Sequence, residues 1–485
     1  MRRRAFVLGG VALGCAAAAP RSEGGLLRLA AAPLGHDIDP YRDDEFGVDE
    51  LSWLYADGLV GWDRDIGIVP LLAAELPESA DAGRVFRYRL RDAAWHDGRP
   101  FVARDVVDAL EALRATPLGT REPYASVRDV VMKGAREVEV RLAAPRRSFV
   151  RSFFGPYGFP AIPLIRHEDG TTPIGTGPFS VRRRVETERW SLTRWEGSPR
   201  GAPRLDALEL RLLRLDVTAN VQLLSGEADV ALPLPSNLLG ADRFRRVRRT
   251  TSTAVLLMNA EGALGTTLLR RAFAAAADVP ALQRAYDRTR TSLLASLFLS
   301  GRDDDDLAAT LAHRPAAASA LRDVTREREL TLVYVGGSPS HERTMTLLQQ
   351  NLGLAGVRSS LRPCAASVYM DEVGPLRSGR FDACIYGLVY ADDAELAADW
   401  GCANRPPHGG NFSRWCDPAF ESAIERGDHG AAARRLYDEL LCLPLSHAYE
   451  EIGVAPWVHG LDAPVPLVPA TYGCAGWSIS AADRR

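Results

Sequence analysis

The side chains best suited to chemistry gather in the last third of the chain. Cys402 and Cys416 close a stretch holding Pro406, Pro407, Gly409 and Gly410. A disulfide across a loop of about 15 residues restricts the unfolded chain by ~3 kcal/mol. His408 lies between the two thiols, so a metal site is the rival reading, but no C-x-x-C or H-x-x-x-H spacing supports it. Tyr386, Tyr390, Trp400 and Trp415 are large enough to wall a cleft around an apolar solute; the alternative for each is a place in the core. His341, with Glu342 and Arg343, follows the Gly336-Gly337 loop at the end of a strand-like segment, where clefts form in parallel sheets.

Other candidates dissolve on inspection. Gly175-Thr176-Gly177 has neither the lysine nor the following helix of a phosphate loop, and with Pro178 it reads as a chain reversal between lobes. Arg302–Asp306 lacks EF-hand spacing and reads as a solvated loop. The basic run Arg243–Arg249 reads as a strand with a solvated face. There is no G-x-S-x-G and no H-E-x-x-H, so no catalytic residue is assigned and an exported hydrolase is disfavoured. No cofactor and no metal are expected.

These residues need a large scaffold. A chain of 485 residues, 46% hydrophobic and 25% charged, holds two or three domains of ordinary globular composition. A net charge of −3 gives no global pull toward nucleic acid. From Phe86 to Arg91, apolar and arginine residues alternate as in a strand. Asp97-Gly98 supplies a turn, and Val106, Val107, Leu110 and Leu113 form one apolar helix stripe with Asp105 in its first turn. Leu330–Tyr334, Thr344–Leu352 and a strand through Leu361 make a βαβ pattern, hence a parallel sheet.

Residues 1–25 read as an export signal: Arg2-Arg3-Arg4, an apolar run from Ala5 to Ala19, then Pro20. The Arg3-Arg4 pair approximates a twin-arginine signal, and Ala12-Leu13-Gly14-Cys15 a lipobox with Cys15 as the lipidation site. Removing Cys15 leaves six cysteines. With Cys402–Cys416 paired, Cys364, Cys384, Cys442 and Cys474 allow three further pairings.

The wording of several segments carries more. Trp95-x-Asp97-Gly98-x-Pro100-Phe101 followed by Asp105-Val106-Val107, Pro173-Ile174-Gly175-Thr176-Gly177-Pro178-Phe179, Ser225-Gly226-Glu227, Phe381-Asp382 with Gly387, and Asn411-Phe412-Ser413-Arg414-Trp415-Cys416 occur in order. Together they resemble the family 5, peptide/nickel-type, extracellular solute-binding proteins of bacterial ABC importers. The resemblance implies a two-lobed α/β fold of the class II periplasmic-binding type, hinged by crossing strands, with an additional subdomain. Residues 26–42, 173–255 and 451–485 would form the core of lobe I, 43–172 its extra subdomain and 256–450 lobe II.

It also implies a monomer outside the cytoplasm, free or lipid-anchored, that takes a small solute and meets membrane permease subunits, with no nucleic-acid partner. A sensory or scaffolding protein of the same fold is the alternative. In peptide-binding members an Asp four positions after the glycine of the Phe-Asp segment pairs with the peptide ammonium. Counting from Gly387, that position is Ala391, with Leu388 in place of a Trp and Ile385 in place of an Arg. Asp392 and Asp393 lie one and two positions later and are the replacement candidates, or else ordinary turn acids. The resemblance leaves the solute open among peptide, opine, sugar and metal chelate.

Overall fold

The computed structural model describes residues 24–31, 50–64, 67–115, 126–145, 149–152, 165–167, 172–185, 189–213, 216–232, 243–288, 292–297, 305–369, 373–389, 400–407, 409–462 and 468–480, with Tyr41, Asp371, Leu396 and Pro464 singly. A ten-stranded mixed sheet runs through it. In spatial order its strands are Phe179–Val185, Arg189–Arg194, Ala207–Leu212, Leu26–Ala31, Val230–Leu232, Cys442–Val454, Arg245–Met258, Ala383–Leu388, Leu330–Val335 and Ser359–Cys364.

The two long central strands pair antiparallel from Arg245 opposite Val454 to Leu257 opposite Cys442. They cross from one lobe to the other. Val454 and Gly453 also pair with Val230 and Ala231 on the first side. Thr253–Met258 pairs with Ala383–Leu388 on the second. Between these flanks the two strands pair only with each other among the described residues, which leaves a two-stranded waist. Two-stranded ribbons twist more freely than wide sheets. The register slips there, between Thr250 and Ser252, and again between Ala254 and Val255 opposite Pro444. Proline has no N–H to give to a ladder, so the second slip has a local cause.

Three hydrophobic cores flank this waist. The first takes residues from Leu27 to Val247 and from Ile452 to Ile479. The other two lie on opposite faces of the second-lobe sheet. Ala254, Leu256 and Met258 point to one and Val255 and Leu257 to the other, as the two-residue period of a strand buried on both faces requires.

A separate four-stranded sheet (Glu78–Ala80, Val85–Arg89, Glu137–Leu142 and Val127–Gly134 in spatial order) carries the helix Ala103–Arg114. Phe86 and Tyr88 are buried and Arg87 and Arg89 exposed, as their alternation requires. Gly98 sits at φ 84°, conformationally open to glycine. Asp105 fixes the helix start: its carboxylate accepts from Val102 N–H at 2.7 Å and from Trp95 Nε1–H at 3.1 Å. No helix among the described residues is long and apolar enough to cross a membrane.

Several expectations change in detail. Gly175 and Gly177, in the bend between Pro173–Ile174 and Phe179–Val185, also press against the Tyr55–Ala56 backbone. A Cβ on Gly175 would stand 2.0 Å from Tyr55 O, and one on Gly177 2.5 Å from Ala56 N. His96 completes this contact, accepting from Gly175 N–H at Nδ1 and donating to Gly177 O from Nε2. The arginines of the 243–249 run are not simply solvated but matched by acids. Arg245 pairs with Asp462, Arg246 and Arg248 with Glu451, and Arg249 with Glu50 and Glu450. Asp305 and Asp306 open a helix, Asp305–Thr310, rather than ending a loop.

Cys402 and Cys416 are bridged. The other four thiols are free, which overturns the further pairings. Cys384 and Cys442 both flank Leu257, one on each side, so a whole strand separates them. Two strand spacings amount to about 9.6 Å, beyond the reach of a disulfide. Cys474 belongs to the first core and cannot meet the others. Burial pushes the Cys384 thiol up to about 12.

Candidate functional site

Strand direction places the cleft. In the first lobe Leu26–Ala31, Ala207–Leu212 and Val230–Leu232 are parallel. Val230 lies opposite Val454 and Ala231 opposite Gly453, so these strands end toward the waist. In the second lobe Leu330–Val335, Ser359–Cys364 and Ala383–Leu388 are parallel, and Leu388 ends beside Thr253 at the waist. Both sets of carboxyl ends therefore face the crossing, and open α/β sheets bind ligands at that edge.

On the second-lobe side, the described residues at this edge form a polar chain. The Gly336-Gly337 turn, with Gly337 at φ 82°, leads into the helix Pro339–Leu354. Its first-turn Glu342 accepts from Gly337 N–H at 3.1 Å, so a carboxylate already answers the positive end of the helix. His341, in the same turn, stacks on Tyr286 with ring centres 5.8 Å apart. Burial lowers the pKa of His341, which favours the neutral ring, and its Nδ1 is buried without a hydrogen-bond partner. Burial, then the neighbouring Asp287, raises the Tyr286 hydroxyl to about 12.

Asp287 follows at the helix end, where its carboxylate accepts from Ser446 Oγ at 3.2 Å. Ser446 precedes His447 on the second crossing strand, and His447 Nδ1 lies 3.1 Å from Thr253 Oγ on the first. The chain from His341 to Thr253 thus ties the cleft edge to the strands that join the lobes. Such an edge can hydrogen-bond and stack on a small polar solute.

Of the residues singled out from sequence, His341 lies at this edge. Tyr386 is half-buried on Ala383–Leu388, edge-on to Phe412 at 5.5 Å. Trp400 and Trp415 do not wall an open surface. They are 2% and 7% exposed within the second-lobe core, where Trp415 packs on Phe420 at 5.3 Å. The physical reason is the Cys402–Cys416 loop: Asn411 Nδ2 donates to Trp400 O and Trp415 O and draws both inward. Tyr390, Asp392 and Asp393 lie outside the described residues, as do His408, Arg3, Arg4 and Cys15. Tyr286, Asp287, Ser446 and His447 were not foreseen; nothing local in their sequence marks them.

Residues 67–401 match the bacterial extracellular solute-binding proteins, family 5. The chain belongs to that family. Protein XP55 of Streptomyces lividans is 29% identical over 255 residues, covering 49% of this chain and 46% of that protein. The chain thus aligns with just under half the length of XP55. Di/tripeptide-binding protein 2 of Pseudomonas aeruginosa is 25% identical over 455 residues, covering 78% of this chain and 81% of its own. Among solved structures, clavulanic acid biosynthesis oligopeptide binding protein 2 superposes with a TM-score of 0.75 at 20% identity, over 95% of this chain and 96% of the other, a similarity of fold. The two-lobed architecture and the solute-binding role are those of the family.

Proposed function

We propose that this solute-binding protein captures a peptide-like solute outside the cytoplasm, without catalysis, and delivers it to the permease of an ABC importer. The observation that carries the reading is the waist: two strands join two lobes, and the carboxyl ends of both parallel sets face it. A solute touching both walls shifts such a molecule toward its closed form by its differential affinity for that form. The Pseudomonas aeruginosa relative, a di/tripeptide-binding protein, supports the solute class, and the solute-binding family supports the importer.

The cores support lobe I from residues 26–42, 173–255 and 451–485 and lobe II from 256–450, and the separate four-stranded sheet supports the subdomain from 43–172. Export through residues 1–25, by Arg3-Arg4 or with lipid at Cys15, and a monomeric state belong to the same proposal. His341 and Tyr386 are solute contacts in this reading. Asp392 or Asp393 holds the ammonium that Ala391 cannot.

The test is a calorimetric panel of short peptides against the mature protein. Free-amine peptides should bind and N-acetylated ones bind poorly. Asp392→Ala combined with Asp393→Ala should cost ~2–5 kcal/mol, the loss on truncating one side of a desolvated charge pair. A protein that ignores every free-amine peptide has a different solute.

A further inference from the structure

At the opposite end of the second lobe from the cleft is a cavity of about 480 Å³. It opens where the strands begin: Thr331 is the second residue of Leu330–Val335, Asp382 precedes Ala383–Leu388, and Asn259 follows Met258. The cleft edge lies where the same strands stop. Six residues at ~3.3 Å each put about 20 Å between the two along Ala383–Leu388, and Arg362, opposite Val333 midway along the neighbouring edge strand, lines the cavity from there. A solute in the cleft does not reach this cavity.

The floor of the cavity is internally satisfied. Asp382, 1% exposed, accepts from Ala263 N–H at 3.0 Å, from Thr331 N–H at 2.8 Å and from the Arg328 guanidinium. Asn259, 3% exposed, donates to Gly379 O and Phe381 O at 3.1 and 3.0 Å. The rim is different. Of its acids, Glu329 is taken by Arg358 at 3.2 Å, and Glu261 by Arg405 and Arg414 at 3.6 and 3.5 Å. Arg362 and Arg380 also line the cavity, and neither has a carboxylate partner among the described residues. Among the described residues the Arg380 guanidinium donates to Val373 O and to no carboxylate. Two guanidinium groups are therefore left uncompensated over a cavity large enough for a small molecule. Guanidinium matches the planar oxygens of carboxylate and phosphate groups with paired hydrogen bonds.

We propose that this cavity binds a small polyanion bearing carboxylate or phosphate groups, held by Arg362 and Arg380, at a site separate from the solute cleft. The site is built within one lobe. Its occupant makes the same contacts whether the lobes are open or closed, so it has no differential affinity with which to drive closure.

Citrate and inorganic pyrophosphate, titrated calorimetrically into the full mature chain at low salt, test this. At least one should bind saturably at one site. Heat from citrate alone assigns carboxylates, from pyrophosphate alone phosphates, and from both the shared anion chemistry. Arg362→Ser with Arg380→Ser should weaken binding about tenfold or more, since each charged hydrogen bond contributes appreciably. Arg104→Ser with Arg114→Ser, the same charge change on the first-lobe helix, should leave it unchanged. Small-angle scattering should show no compaction on adding the anion. No saturable heat from either anion, equal loss in both double variants, or compaction like that expected for the cleft solute would each overturn the proposal.

Discussion

The two crossing strands are held in opposite ways at their two ends. In the second lobe Thr253–Met258 is almost wholly apolar and sits between two cores, with Val255, Leu256 and Met258 fully covered. In the first lobe Arg245–Arg249 and the facing acids make a ladder of ion pairs. At Arg249 burial is not the difference, because it is 2% exposed and Glu50 3%, although Arg248 on the same strand is exposed. What differs is the response to conditions. An apolar core is indifferent to pH, whereas a guanidinium shared by two buried carboxylates leaves one negative charge in excess. Burial first, then Glu450, raises Glu50 to about 7 against the pull of Arg249. The waist lies between an end held by buried charge pairs and an end held by apolar packing.

Breaking the first-lobe end should have the largest effect. Arg249→Met leaves Glu50 and Glu450 buried without their cation, and removing one partner of a buried pair costs ~3–5 kcal/mol. Chemical denaturation at pH 8 measures it, and a loss under 1 kcal/mol would mean that water already reaches the pair. At the other end Leu256→Ala should cost about 3 kcal/mol through the cavity it leaves, equally at pH 5 and pH 8. A pH-dependent loss there would erase the contrast between the ends.

Glu50 sharpens the contrast through pH. Its folded pKa is raised, so the native protein holds this proton more tightly than the unfolded chain. The corresponding stability is present below the unfolded value near 4.5 and is lost as pH rises to about 7. Glu50→Gln, which mimics the protonated acid, should raise Tm at pH 8 and change little at pH 5. Equal shifts at both values would show that Glu50 is ionised throughout. The smallest effect belongs to the exposed rung: Arg245→Ser removes the pair with Asp462 and should cost ~0.2–1 kcal/mol, falling with added salt.

What the sequence disclosed follows physical range. The alternation from Phe86 to Arg91 and the Asp97-Gly98 turn are local, so their periodicity and dihedral demands were legible and appear where expected. Gly175 and Gly177 were recognisable, but their reason is the backbone of Tyr55 and Ala56, far away in the chain. The arginine run announced charge without its partners, because Glu450 and Glu451 lie about two hundred residues on and meet it only through strand register.

The site was less legible for the same reason. Asp287 and Ser446 meet across 159 residues, and neither has a motif. Trp400 and Trp415 show the reverse error: a large aromatic suits a wall and a core equally, and the hydrogen bonds of Asn411 decide between them. Cys402–Cys416 could be chosen because the pair is close in sequence. The buried thiols suggested partners only by their number.

The central claim, that the two lobes close about the waist on a solute, is tested most directly by small-angle X-ray scattering with and without a peptide that calorimetry shows to bind. The account predicts a smaller radius of gyration at saturation, restored when the peptide is removed by dialysis. Saturable binding with an unchanged radius would contradict closure and leave the crossing strands as a rigid joint.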